Sequence, residues 1–332
     1  MILNDKPERN SGADWWAEQS KKLLEDQKQS WLLLNENYQN LSIVKTRTFE
    51  FDGFEINIQF NPARIKSSSA DVSDDAVKSR KCFLCLEHLP KEQTGLAYNK
   101  NFVILANPYP IFQKHFTISK KNHTPQTLIG NFAEMLALSR DLGKYYTVFY
   151  NGPKCGSSAP DHMHFQAITK NAIPVEVDFD KMVNKFAKEV LRNGKIEVRF
   201  FEEHLRYFIS FESRDKGELL YVFKTLINAL RKISPPYEEP LINMLANYQE
   251  NIWRLIFFPR SKHRPKQFFA EDDNKLLISP GTVDMGGLII APRENDFLKI
   301  TRNDVIDIYR QVTITKEYFE FLRKKIGKIF IS

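Results

Sequence analysis

The chain has 332 residues, 42% hydrophobic and 13% aromatic, with 48 basic and 41 acidic side chains that leave a net charge of +7. Such a composition excludes disorder as the dominant state and suits one large core or two ordinary ones. No apolar run of about 18 residues occurs, and the polar start MILNDKPERNSGADWW lacks the apolar stretch of a signal peptide, so a soluble, cytoplasmic protein without a membrane partner is expected.

Residues 14–40 carry Trp16, Leu23, Leu24, Trp31, Leu34 and Tyr38 at helical spacing, which predicts an amphipathic, interrupted helix covering a sheet. From Leu41 to Phe60 the pattern alternates, with Asp52-Gly53 as a hairpin turn. Residues 61–80 are polar and Ser-rich and read as a loop containing Arg64. Cys82-Phe83-Leu84-Cys85 follows, then strands at Phe102 to Ala106 and His115 to Ile118 around an Asn107-Pro-Tyr-Pro110 turn. Thr124 and Pro125 predict the start of a helix that runs until Gly143. Tyr145 to Tyr150 is the next strand. It enters the loop Asn151-Gly-Pro-Lys-Cys-Gly156-Ser157-Ser158-Ala-Pro-Asp161 and then His162-Met-His164-Phe-Gln166.

Past Ala172 the spacing predicts a helix from Asp178 to Leu191, strands at 196–201 and 207–211, and a helix at 218–232 stopped by Pro235-Pro236. Strands near 241–248 and 252–258 lead into Arg260-Ser-Lys262-His263-Arg264. Thr301-x-x-Asp304 opens a terminal helix in capping-box style. Short connections favour antiparallel pairing, so the fold class is α+β.

On alternate strand positions His162, His164 and Gln166 share one face, while Met163, Phe165 and Ala167 take the other. Two imidazoles and an amide beside a Gly/Ser loop that can aim N–H groups at an anion point to phosphate chemistry. A neutral imidazole is a competent nucleophile at phosphorus, and a covalent intermediate splits one hard displacement into two. Gln166 can donate to phosphate oxygens but is no base. Cys82 and Cys85 have the spacing of two zinc thiolates that two histidines, with His123 and His162 as candidates, would complete. A redox pair or two unpaired thiols are the alternatives. Arg260, Lys262 and Arg264 could grip a phosphate or decorate a solvated turn. The +7 charge with 26 Phe and 12 Tyr invites a nucleic-acid reading. Most Phe falls inside apolar runs, however, and a nucleic-acid partner is not expected. His88 and His204 read as surface residues, and packing accounts for Cys155.

His162-Met-His164-Phe-Gln166 resembles the His-x-His-x-Gln signature of the transferase branch of the histidine-triad superfamily, which includes uridylyltransferases, dinucleoside tetraphosphate phosphorylases and GDP-hexose phosphorylases. Cys82-Phe-Leu-Cys85, Phe102 to Asn107, His115 to His123 and Asn151 are similar to further pieces of the uridylyltransferase pattern. The resemblance covers roughly residues 80–170. It implies antiparallel sheets flanked by helices in two halves, 1–172 and a diverged or partial copy at 173–332. It makes His164 the nucleophile and Gln166 its phosphate-holding partner, and gives Cys82, Cys85, His123 and His162 a structural zinc. Asn107, Asn151, Gly156, Ser157, Ser158, Phe83 and Arg64 would meet the nucleotide, and Arg260, Lys262 and Arg264 a phosphate or sugar phosphate acceptor, in a possible homodimer. The implied substrate is a nucleotide sugar or dinucleoside polyphosphate, and transfer is favoured over hydrolysis because hydrolase relatives carry a third His at position 166. A zinc-stabilised nucleotide-binding protein without turnover is the alternative. Two positions depart from the pattern: Pro108 replaces an acidic residue, and Asp161 separates Pro160 from His162. Ser279 to Ile290 resembles the C-terminal segment of dinucleotide phosphorylases.

Overall fold

The apolar spacing of the first segment forms the helices Trp15–Ser30 and Leu32–Asn40. They break at Trp31, whose φ of −129° and ψ of 101° are extended. Leu23, Leu24, Leu34 and Tyr38 are buried beneath them. The computed structural model describes residues 2–3, 14–202, 204–232, 234 and 238–330. The Pro235-Pro236 stop lies outside these residues.

Strands in chain order are β1 (Ile2–Leu3), β2 (Lys45–Phe51), β3 (Phe54–Phe60), β4 (Gly95–Tyr98), β5 (Phe102–Ala106), β6 (His115–Lys120) and β7 (Tyr146–Asn151). They continue with β8 (His164–Thr169), β9 (Ala187–Arg192), β10 (Ile196–Phe201), β11 (Phe208–Ser213), β12 (Ile242–Gln249), β13 (Ile252–Pro259) and β14 (Leu288–Ala291). The Asp52-Gly53 hairpin joins β2 to β3 with Phe51 opposite Phe54. Its Gly53 adopts the left-handed φ of +89° that the tight turn demands.

β2, β3 and β14 make a small sheet, and eleven strands make one large sheet in the order β1-β4-β5-β6-β8-β7-β12-β13-β11-β10-β9. Its pairs are antiparallel except β1 with β4, and β14 joins β3 in parallel. The same topology occurs twice. β4, β5, β6, the helix Phe132–Leu142, β7 and β8 lie in the order 4-5-6-8-7; β9, β10, β11, the helix Lys216–Leu230, β12 and β13 lie in the order 9-10-11-13-12. The halves are thus α+β repeats, joined edge to edge where Asn151 on β7 faces Asn243 on β12.

Both faces of the large sheet are covered. One core packs Phe116, Met163 and Phe165 under the N-terminal helices and the helices Phe132–Leu142, Lys216–Leu230 and Lys316–Gly327. The other packs Phe149, Ile168, Leu245 and Phe258 under the small sheet and the helix Arg302–Val312. That last helix starts at the expected capping box, with Asp304 N donating to Thr301 Oγ1 at 3.2 Å and Thr301 N to Asp304 Oδ2 at 2.8 Å.

Several elements differ from the sequence-based expectation. The helix expected from Thr124 begins only at Phe132, after Asn131. The intervening backbone is used by neighbours: Met163 N donates to Thr124 O and Gln126 N to Pro160 O, while a Glu239 carboxylate oxygen takes Leu128 N and Ile129 N. The helix expected over 178–191 ends at Phe186, because Ala187 turns extended and the chain pairs with β10 as β9. Short helices Ile65–Ser68 and Asp74–Ser79 punctuate the 61–80 loop. His204 is buried against the Phe54 ring, 3.9 Å between centroids, rather than at the surface.

At the seam between the halves, Glu176 accepts from Thr147 on β7 at 2.5 Å and from Asn247 on β12 at 3.4 Å. Its other oxygen is buried without a partner, and burial pushes the carboxyl up to about 7. A raised acid stabilises the fold below its unfolded pKa and loses that contribution as pH rises through the folded value. Wild-type stability to urea should therefore fall more between pH 5 and pH 8 than that of Glu176→Gln; equal pH slopes would refute this assignment.

Candidate active site

Strand β8 begins at His164, so His162 lies in the preceding turn and not on the strand. His164 and Gln166 share a face with Ser119 and Thr117, their partners on β6, and Gln166 is opposite Phe149 on β7. Met163, Phe165 and Ala167 enter the core on the opposite face, as the alternation predicted.

The turn before β8 brings His162 to the cysteines. His162 Nδ1 lies 3.2 Å from Cys82 Sγ and 3.6 Å from Cys85 Sγ, and His123 Nδ1 lies 3.1 Å from Cys85 Sγ. All four ligand atoms lie within 4.8 Å of one another. Zinc bonds of about 2.0–2.3 Å at tetrahedral angles place sulfur and nitrogen ligands about 3.6 Å apart, so the cluster fits. The tautomer fits too. His162 Nε2 donates to the Lys120 carbonyl at 2.7 Å, which leaves the Nδ1 lone pair facing the sulfurs. Burial, with Cys82 adjacent, pushes the Cys85 thiol up to about 12, so a cation is what would make this donor set anionic. Asp161, the irregular residue of the motif, has a local purpose: it pairs with Arg80 at 2.5 Å and sits 3.8 Å from His123 Nε2. His88 is exposed and its Nδ1 is 2.9 Å from the Cys82 carbonyl.

His164 is 5% exposed. Its Nδ1 is 2.8 Å from the His162 carbonyl, which can only accept, so Nδ1 carries the proton and Nε2 the lone pair. Burial holds the imidazole down at about 4, neutral at physiological pH. Gln166 is oriented by a residue whose role the sequence did not disclose. Ile111 N donates to His115 Nδ1 at 3.2 Å, so His115 Nε2 bears the proton and donates to Gln166 Oε1 at 2.8 Å. The Gln166 NH₂ is thereby the end left for another acceptor. Burial and the nearby Arg64 cation hold His115 down at about 3, which keeps this arrangement neutral.

Gln166 lines a polar cleft together with Arg64, Asn151, Gly156, Ser157 and Arg264, all expected site residues. Ser67, Ser68, Ser279 and Asp284 line it as well; the Ser-rich run was the only sequence signal for the first two. Arg64 donates to Tyr109 O at 2.8 Å, and Arg264 to Ser279 Oγ at 2.9 Å and Ala70 O at 2.8 Å. Asn151 opens the loop by receiving Thr282 N and Oγ1, each at 2.7 Å, and Asn243 Nδ2 at 3.1 Å. Gly156 has φ +89°, and a Cβ there would stand 2.5 Å from Gly281 Cα.

Other expected residues lie elsewhere. Arg260 is buried, and its five N–H groups meet Val312 O, Asn243 Oδ1, Pro280 O, Lys262 O and His263 O. No donor is left for an acceptor phosphate, because each is spent on fastening loops. Lys262 is exposed and, like Ser158, does not line the cleft. Asn107 is occupied by Thr117 Oγ1 at 3.0 Å and Tyr109 N at 2.9 Å. Phe83 is exposed beside the Arg80 guanidinium, 5.0 Å from its ring centre.

Among the described residues the second half has no equivalent site. Where β7 and β8 are separated by residues 152–163, β12 and β13 are joined by the tight turn Glu250-Asn251, with φ of 52° and 62°. β13 carries no histidine. The structure thus gathers an oriented amide and two arginines at one cleft, with the buried neutral imidazole of His164 two residues before Gln166 on the same strand.

Comparison with known proteins agrees at the level of fold. The yeast Ap4A phosphorylase Apa2 in complex with Ap4A is similar at a TM-score of 0.55 and 15% identity, covering 89% of this chain and 97% of that one. The same enzyme with AMP gives 0.52 and 16%, covering 87% and 93%. A uridylyltransferase mutant is more distant, at 0.40 and 12%, covering 76% and 92%. The fold, two α+β halves, is thus one shared with the yeast Ap4A phosphorylase Apa2. Residues 23–169 match the family model described as a Domain of unknown function (DUF4922). No curated protein matches by sequence. No helix among the described residues is long and apolar enough to cross a membrane.

Purified protein should carry about one equivalent of zinc, as four ligands around one ion require. Cys85→Ser should lose it and melt lower, since metal binding to the native state adds to stability; a fully folded, metal-free wild type would contradict the site. Gly156→Ala should destabilise the fold by about 1–3 kcal/mol, from the forbidden φ together with the clash at Gly281, and urea denaturation at wild-type stability would exclude that contact.

Proposed function

We propose that the protein is a nucleotidyltransferase or phosphorylase acting on a nucleoside diphosphate linkage, in a nucleotide sugar or a dinucleoside polyphosphate. Residues 1–172 supply the chemistry and residues 173–332 support it. The observation that carries this reading is the hydrogen bond from His164 Nδ1 to the His162 carbonyl, which presents an unprotonated Nε2. That atom attacks the α-phosphorus, the P–O bond to the leaving phosphate breaks, and a nucleoside monophosphate remains on the imidazole. Phosphate or a sugar phosphate then attacks the same phosphorus, breaks the P–N bond and restores His164.

Gln166 donates its NH₂ to the phosphoryl oxygens, and Arg64 and Arg264 balance the polyphosphate charge at the cleft. An amide at position 166 cannot deprotonate water, which favours transfer over hydrolysis. Zinc at Cys82, Cys85, His123 and His162 would have a structural part, fastening the turn that precedes β8 to the Cys-x-x-Cys segment. The fold shared with a phosphorylase solved with Ap4A makes dinucleoside polyphosphates the first substrates to try.

Incubation with diadenosine tetraphosphate or nucleoside diphosphate sugars, without acceptor, should give an acid-labile nucleotidyl adduct by intact-mass measurement. His164→Ala should abolish it and lower turnover by about 10⁴-fold or more, as loss of a nucleophile does. Tight nucleotide binding with no adduct and no exchange would instead favour a binding protein without turnover.

A further inference from the structure

The ladder between β7 and β8 stops before it reaches the nucleophile. Its last pair is Phe149 with Gln166, and the next pair on that face would be Asn151 with His164. There the strands part to release the loop at 152–163. A divergence of this kind ordinarily leaves the first residue of a strand held on one side only, and His164 keeps Ser119 of β6 as its one ladder neighbour.

The missing rung is filled by a side chain. Gln126 is 2% exposed. Its Oε1 accepts His164 N at 2.8 Å, and its Nε2 donates to His164 O at 3.0 Å and to Asn151 O at 2.8 Å. The primary amide thus reproduces both halves of a backbone pairing and spans the gap between the strands. We propose that Gln126 is the positioning residue for the nucleophile, fixing the His164 backbone where the sheet opens for the phosphate loop. This rests on the covalent reading given above.

The segment that carries Gln126 is held from both halves. Gln126 N donates to Pro160 O at 3.0 Å, and Met163 N to Thr124 O at 2.7 Å. From the second half, Glu239 Oε1 takes Thr127 Oγ1 at 3.0 Å, Leu128 N at 2.6 Å and Ile129 N at 3.1 Å. That carboxylate explains why residues 124–131 forgo the helix that Thr124-Pro125 would start. The chain of contacts runs from Glu239 through the 126–129 segment to His164, and it gives the second half a part in the chemistry besides that of Arg264.

Gln126 touches neither the Cys/His cluster nor the cleft-lining side chains by any of these bonds, so its loss should act on the chemical step and spare substrate binding. Gln126→Met keeps the length and removes all three hydrogen bonds. Single-turnover adduct formation with diadenosine tetraphosphate and nucleoside diphosphate sugars should slow by about 30- to 100-fold, the scale of a small misplacement of a reacting group. Nucleotide affinity, measured in the His164→Ala background with and without the Met substitution, should change by less than about 3-fold, and zinc content should stay at wild-type level. Gln126→Asn, which keeps the amide but is one methylene too short to reach its three partners, should show the same split and replaces the Met variant if that does not fold. A wild type that forms no adduct would overturn the covalent reading and this inference with it. A wild type that labels normally beside a Gln126→Met variant within about 3-fold of its rate would overturn the inference alone. Affinity, zinc content and labelling that all decline together would also overturn it, by showing general support of the fold.

Discussion

A single hydrogen bond, from His164 Nδ1 to the carbonyl of His162 at 2.8 Å, ties together the main features of the site. His162 lies outside the strand, which begins at His164. The turn at 160–162 delivers the His162 ring to Cys82 and Cys85. One residue therefore serves two ends: its imidazole belongs to the Cys/His cluster and its carbonyl sets the tautomer of His164. Asp161, irregular for the motif, belongs to this turn and is fastened by Arg80.

The two halves share a topology but divide the work. In the first, β7 and β8 part to make room for the loop at 152–163; in the second, a two-residue turn closes the same interval. The second half contributes Arg264 to the cleft and a set of polar contacts at the seam. Asn243 and Thr282 hold Asn151, Glu239 holds the 127–129 segment, and Arg260 binds the loops behind Gly281 together. These are buried or, for Glu239, half-buried polar groups whose hydrogen bonds are satisfied, the condition under which such groups specify one arrangement rather than loosen it.

What could be read from the sequence was what depends on neighbours in the chain. The alternation at 162–167 assigned Met163, Phe165 and Ala167 to the core, the Asp52-Gly53 turn placed a hairpin, and Thr301 with Asp304 marked a helix start. The Cys-x-x-Cys spacing and His123 also led to one cluster. What could not be read depends on partners far away in sequence. The basic run at 260–264 looks uniform, yet Arg260 is consumed by carbonyls as distant as Val312, Lys262 is exposed, and Arg264 reaches the cleft. His115 resembles any strand histidine until the Ile111 N–H fixes its tautomer. The helix expected at Thr124 obeys local capping rules and is overruled by Glu239, more than a hundred residues on. The joining of two half-sheets through β7 and β12 rests on a pairing with no local signature at all.

The central claim is a covalent nucleotidyl-histidine at His164, and the stereochemical course at phosphorus tests it most directly. Each in-line displacement inverts the α-phosphorus, so two in succession retain its configuration. A substrate made chiral at that phosphorus with sulfur should give product of retained configuration. Inverted product would show a single direct displacement by the acceptor and would contradict the account.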